Sequence, residues 1–170
     1  MAMTLVSTVT VGTNLPTQIE WTNIPSTGKD LLILISARAS NFNGNVTFNS
    51  FTSGDSYREL FGSGTSASSG NGSGNGFIFV TSLYEPRDFN GTNNTINYFG
   101  SSQMYISNYA GSTAKSVSTE STMEFNSTES YMAINAASWS GTAAITSVQL
   151  KVSGSGTFNE HSTASLYLIS

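Results

Sequence analysis

The eleven residues Asp30-Leu31-Leu32-Ile33-Leu34-Ile35-Ser36-Ala37-Arg38-Ala39-Ser40 pack more apolar side chain into a short space than any other stretch of the chain. In extended geometry Leu31, Ile33, Ile35, Ala37 and Ala39 share one face, while the other holds Leu32 and Leu34, then Ser36 and Arg38. A continuous apolar run that turns into alternation predicts a central strand, covered on both faces at its start and wet on one face at its end. From Leu31 to Ala39 it would span roughly 30 Å, enough to cross a small sandwich. A buried helix fits less well, because the closing residues alternate and the flanks hold no cap-and-stop pair.

Around this strand the chain reads as short strands with turns between most of them. Thr4–Val11 places Leu5, Val9 and Val11 on one face, Gln18–Thr22 points Ile19 and Trp21 inward, and the Asn-Gly at Asn43-Gly44 predicts a hairpin joining the central strand to Val46–Phe51. Further strands are expected at Phe77–Tyr84, Gln103–Ser107, Lys115–Phe125, Tyr131–Trp139, Ile145–Val152 and Ala164–Ile169. Asp55–Phe61 fits a strand or a helical turn equally and stays unassigned. Residues 62–76 are built from Gly, Ser, Asn, Thr and Ala, a flexible-chain composition read as a long surface loop. About ten short strands predict an all-β fold, an antiparallel β-sandwich of jelly-roll type, in one domain over residues 1–170.

Only 9% of the residues are charged, against roughly 25% in ordinary soluble domains. The surface must therefore be hydroxyl and amide rather than ionic. The six Lys and Arg are scattered and form no basic stripe, and the formal net charge is -4, which argues against nucleic acid. With no cysteine, disulfide frameworks and thiolate metal sites are excluded. No apolar run approaches membrane-spanning length and the first residues lack a basic cap with an apolar core, so a soluble protein made in the cytosol is expected.

Groups able to do chemistry are few. His161, beside Glu160, is the one histidine, so no imidazole pair can hold zinc or activate a thiol. Ser26 and Lys29 have Ser-x-x-Lys spacing but sit in a loop, and no Gly-x-Ser-x-Gly turn exposes a nucleophile. Asp55 with Glu59 and Glu85 with Asp88 are the carboxylate pairs close enough in sequence for glycoside hydrolysis, each beside an arginine that makes a surface ion pair the simpler reading. The expectation is no catalytic residue, no cofactor and no metal. Trp21 and Trp139 lie on strand faces and read as core. Phe89, Tyr98, Phe99 and Tyr109 lie in or beside loops and are the candidates for protein or glycan contacts.

Three segments resemble a known family. Ile145–Val152 followed by Gly156–Ile169, Ile24-Pro25 leading into Asp30–Ser40, and Phe48-Asn49 with Tyr57, Leu60, Gly62 and Gly64 are similar to the ending, first core strands and middle segment of tailed-bacteriophage virion structural proteins. Two positions depart from that pattern. Leu168 stands where those proteins carry glycine, which predicts a last strand that continues straight and buries one more side chain. The Asn-Gly-Asp of their middle segment is replaced by Asn49–Asp55. The resemblance implies a β-sandwich virion component without catalysis, acting as a homotrimer. The expected function is a capsid decoration or cement protein on the outer capsid surface, made in the host cytoplasm. Its partners would be the major capsid protein or other virion proteins. The alternative is a tail- or head-fibre subunit recognising a host-surface glycan.

Overall fold

The apolar run forms β3, Asp30–Ala37, near the middle of a large antiparallel sheet. The computed structural model describes residues 2–40, 44–74, 78–80, 99–124, 130–152 and 155–170, and no helix occurs among them. β3 pairs on one side with β12, Thr163–Ile169, and on the other with β8, Gly100–Ile106. β1, Met3–Thr10, closes the β12 edge. Beyond β8 the sheet continues through β9, Lys115–Glu124, β10, Ser130–Trp139, β5, Asp55–Ser63, and β6, Ser66–Ser73. The order of this eight-stranded sheet is β1-β12-β3-β8-β9-β10-β5-β6. A second sheet has four strands: β2, Gln18–Trp21; β11, Val148–Val152; β4, Gly44–Phe48; and β7, Ile78–Val80, in the order β2-β11-β4-β7.

The pairings are nested. First strand pairs with last, second with second-last, and inside them β3 with β8 and β4 with β7. The chain thus behaves as one long antiparallel hairpin whose halves pass alternately between two sheets. β5–β6 and β9–β10 are consecutive antiparallel pairs that lengthen the larger sheet. The fold is all-β and antiparallel, with two sheets contributing to one core as in a β-sandwich.

That core follows from alternation. Leu31, Ile33, Ile35, Met104, Ile106, Leu166 and Leu168 of the large sheet and Ile19, Trp21, Phe48, Val148, Leu150 and Val152 of the small one are all buried. β12 runs straight through Leu168, which is buried. At one end Trp139 stacks on Phe51 at 5.2 Å and tilts against Phe48 at 6.1 Å. Gly141 must lack a side chain, because a Cβ there would run into the Trp139 indole. Asn49, with φ of 48°, turns its amide onto the segment before β11: Nδ2 donates to Ala144 O, and Oδ1 accepts from Thr146 N and Ser147 N.

Four expectations are corrected. The start of β3 is not covered twice: Leu34 is 37% exposed and Leu32 half-buried, because the outer face has no second layer among the described residues. β3 and β4 do not form a hairpin. They belong to different sheets, so the chain crosses the sandwich between them. In β1 the register shifts between Leu5 and Ser7, which sends Leu5 outward at 52% exposure and lets Val6 and Val9 pack on the core. A one-residue bulge reverses the side-chain parity that sequence alternation assumes.

The fourth correction concerns residues 62–76. Much of the supposed loop is strand: β6 pairs with β5 from Ser56↔Ser73 to Ser63↔Ser66, turning at Gly64 with φ of 56°. A ladder needs only backbone groups. An edge strand of Ser, Ala, Gly and Asn, largely exposed, carries no apolar alternation for sequence reading to find. The unassigned Asp55–Phe61 is the strand that templates it.

Candidate functional site

Strands that alternate apolar and polar residues leave the large sheet with one face on the core and one toward water. The registers align the outward side chains in rows. One runs Ser165–Leu34–Gln103–Glu120–Ile134–Leu60, and the next runs Tyr167–Leu32–Tyr105–Ser118–Ala136–Arg58. Two features stand out on this face.

The first is a shallow trough of about 370 Å³ over the β3–β8 ladder, bounded by Ser36, Ser101, Gln103 and Glu120, with Leu34 in its lining. A smaller hollow of about 250 Å³ touches Gln103 and Glu120 as well and reaches Leu32, Tyr105 and Ser118. Gln103 Nε2 donates to Glu120 Oε2 at 2.7 Å, so amide and carboxylate are held side by side. Tyr105 donates its hydroxyl to Asp30 Oδ2, while Asp30 Oδ1 accepts from Asn108 N at 2.7 Å. The bond to Asp30, then burial and the charge of that carboxylate, hold the Tyr105 phenol above its ordinary pKa.

The second is an apolar patch. Leu60 and Ile134 are directly opposed on β5 and β10, and Met132 lies two residues from Ile134 on the same face. They are 65%, 48% and 52% exposed.

The inner face under β9, β10 and β5 is mixed by contrast, with polar side chains set among the buried Val117, Met123, Ala137, Trp139 and Tyr57. Thr119, Asn135 and Glu59 form a cross-strand row, with Ser121 and Ser102 beside it. Thr119 Oγ1 and Ser121 Oγ are buried and find no hydrogen-bond partner among the described residues. Glu59 lies against Gly70 of β6, where a Cβ would meet its carboxylate, and burial pushes its carboxyl pKa up. Burial first, then the charges of Glu59 and Asp55, raise the Tyr57 phenol in turn. Lys115 is buried, with Nζ donating to Gly111 O and Thr113 O, and burial lowers its pKa.

Of the four aromatic candidates, Phe89 and Tyr98 lie outside the described residues. Phe99 sits one step beyond the last β3–β8 pair, Ala37–Gly100, under the Arg38 guanidinium at 5.4 Å from the ring centre. Tyr109 is not an exposed loop aromatic. It is fully buried, donates its hydroxyl to Pro25 O and accepts from Gly28 N, and so pins the segment before β9 to the segment before β3. Burial raises its pKa, the Gly28 bond opposing.

Trp21 and Trp139 are core, and His161 is exposed. Asp55 and Glu59 share one face of β5 four residues apart, a rise of roughly 13 Å along the strand, with Asp55 buried and Glu59 half-buried. Glu85 and Asp88 lie outside the described residues. Among the described residues no three His, Asp or Glu side chains gather as a metal-binding group. Comparison with protein-family models, curated proteins and solved structures gives no match.

Sequence reading missed Leu34, Gln103 and Glu120 as a group and Leu60 with Ile134 as a pair. Each lies on a different strand from its neighbour, and the register that joins them is a tertiary property.

Proposed function

We propose that the chain is a non-enzymatic structural protein of a bacteriophage virion, seated on the outer capsid surface as a decoration or cement protein. The observation that carries this reading is the contiguous patch of Leu60, Ile134 and Met132 on the open face of the large sheet. Directly opposed apolar side chains left near or above half exposure are what a protein contact covers. The strand order adds fold-level support. With the β5–β6 and β9–β10 hairpins set aside, we read β1-β12-β3-β8 and β2-β11-β4-β7 as the paired sheets of a jelly roll, an architecture shared by viral capsid and lectin domains.

The mechanism is area rather than chemistry. A stable attachment needs on the order of 1,000 Å² of buried surface, and binding only the assembled capsid stabilises it by mass action. With 9% of the chain's residues charged, the surface carries little self-repulsion and lets identical copies sit close, in keeping with a homotrimer. The deciding experiment images purified particles at a resolution that counts and places copies. Copies at regular lattice positions, lost in the Leu60→Ser/Ile134→Ser double variant, are expected. Absence of the protein from purified particles, or undiminished attachment of the double variant, overturns the reading.

A further inference from the structure

We infer that the trough over the β3–β8 ladder binds a neutral oligosaccharide. A sugar ring presents pairs of hydroxyls and an apolar C–H face, so its site needs planar polar groups beside an apolar floor. Both are here on rigid strands. Leu34 is exposed in the lining, with Leu32 and Tyr105 continuing the apolar surface along the same ladder. Gln103 and Glu120 stand together beside that floor, an amide and a carboxylate able to donate to and accept from neighbouring hydroxyls. Ser36, Ser101, Thr122, Thr163 and Ser165 are also in the lining.

The aromatics bracket it. Phe99 under Arg38 lies at one end of the β8 stretch and Tyr105, held by Asp30, at the other. Six residues of strand separate them, roughly 20 Å, room for several sugar units in a row. Side chains fixed by a sheet lose little freedom on binding, which lets a shallow site hold a flexible ligand.

The charges select the class. Glu120 is the acidic group lining the trough and repels anionic glycans, while Arg38 is engaged over the Phe99 ring. A neutral glycan meets neither penalty. The inference does not depend on the apolar patch. The two share one border, Ile134 beside Glu120, and the test uses the free chain, with no capsid protein present.

The purified chain is applied to an array of neutral gluco-, galacto-, manno- and N-acetylglucosamine oligosaccharides alongside sialylated and phosphorylated ones. The strongest binder is then titrated by amide NMR. Saturable binding of a neutral oligosaccharide is expected, with shifts centred on Leu34, Gln103 and Glu120. Gln103→Ala and Glu120→Ala, which remove surface side chains and leave the melting temperature unchanged, each weaken it tenfold or more. Leu60→Ser does not. No saturable binding to a neutral member, a preference for the anionic members, or affinity untouched by both substitutions overturns the inference.

Discussion

The two halves of the large sheet share one unbroken backbone ladder and differ in what their inner faces carry. The β1-β12-β3-β8 half turns Leu31, Ile33, Ile35, Met104, Ile106 and Leu166 toward the aromatic and aliphatic residues of the small sheet. The β9-β10-β5-β6 half also turns apolar side chains inward, Val117, Met123, Ala137, Trp139 and Tyr57 among them, but interleaves them with Lys115, Thr119, Ser121, Asn135 and Glu59 and ends in a β6 edge of serines and glycines. Backbone pairing can therefore extend a sheet by an edge strand, β6, that brings no large apolar side chain to the core. Apolar burial is dense in the first half and diluted by polar groups in the second, which widens the open face on which both candidate sites lie.

If that division is right, substitutions should separate by location. Ile33→Ala or Leu166→Ala opens a cavity between the sheets and is expected to lower unfolding free energy by about 2–5 kcal/mol in urea denaturation. Ser69→Ala on β6 should stay within about 0.5 kcal/mol. Equal losses at both places would break the comparison. Tyr109→Phe deletes a hydroxyl that both donates and accepts in the covered half, leaving Pro25 O and Gly28 N without it. A loss of about 1–3 kcal/mol is expected.

Thr119→Val should act with the opposite sign. It replaces a buried hydroxyl unpartnered among the described residues by a methyl of similar shape, and a gain of about 1 kcal/mol is expected. A loss of that size would show that the inner polar face is satisfied. Glu59 sharpens the contrast through pH. Burial raises its folded pKa above the ordinary value of about 4.3, so the folded state holds the proton more tightly than the unfolded one. Its contribution is fully present below that ordinary value and is lost as pH rises through the folded pKa. Glu59→Gln should flatten stability between those points. An effect as small as that of Ser69→Ala is expected of Leu60→Ser, within about 0.5 kcal/mol on stability, while attachment to particles falls.

The covered half was largely legible in the sequence, because burial writes itself as alternation in β3, β8 and β12, as it does in β11 of the small sheet and β10 of the extension. The extension was legible only where residues face the core: Lys115–Phe125 reads as a strand through Val117 and Met123, whereas Ser66–Ser73 has nothing apolar to mark it. The bulge at Leu5–Ser7 and the crossing from β3 to β4 depend on partners distant in sequence, so local pattern misassigned both. The trough and the patch were illegible for the same reason. Local reading instead found loop aromatics, and Tyr109 shows why that fails: a tyrosine between strands can serve as an internal tie.

Native-state hydrogen exchange tests the division most directly, since it measures the opening free energy of each ladder separately. The amides of β3, β12 and β8 should exchange only through global unfolding, and those of β5 and β6 through an opening of lower free energy that leaves the rest protected. Uniform protection across all eight strands, or earlier opening of β3 and β12, would contradict the account.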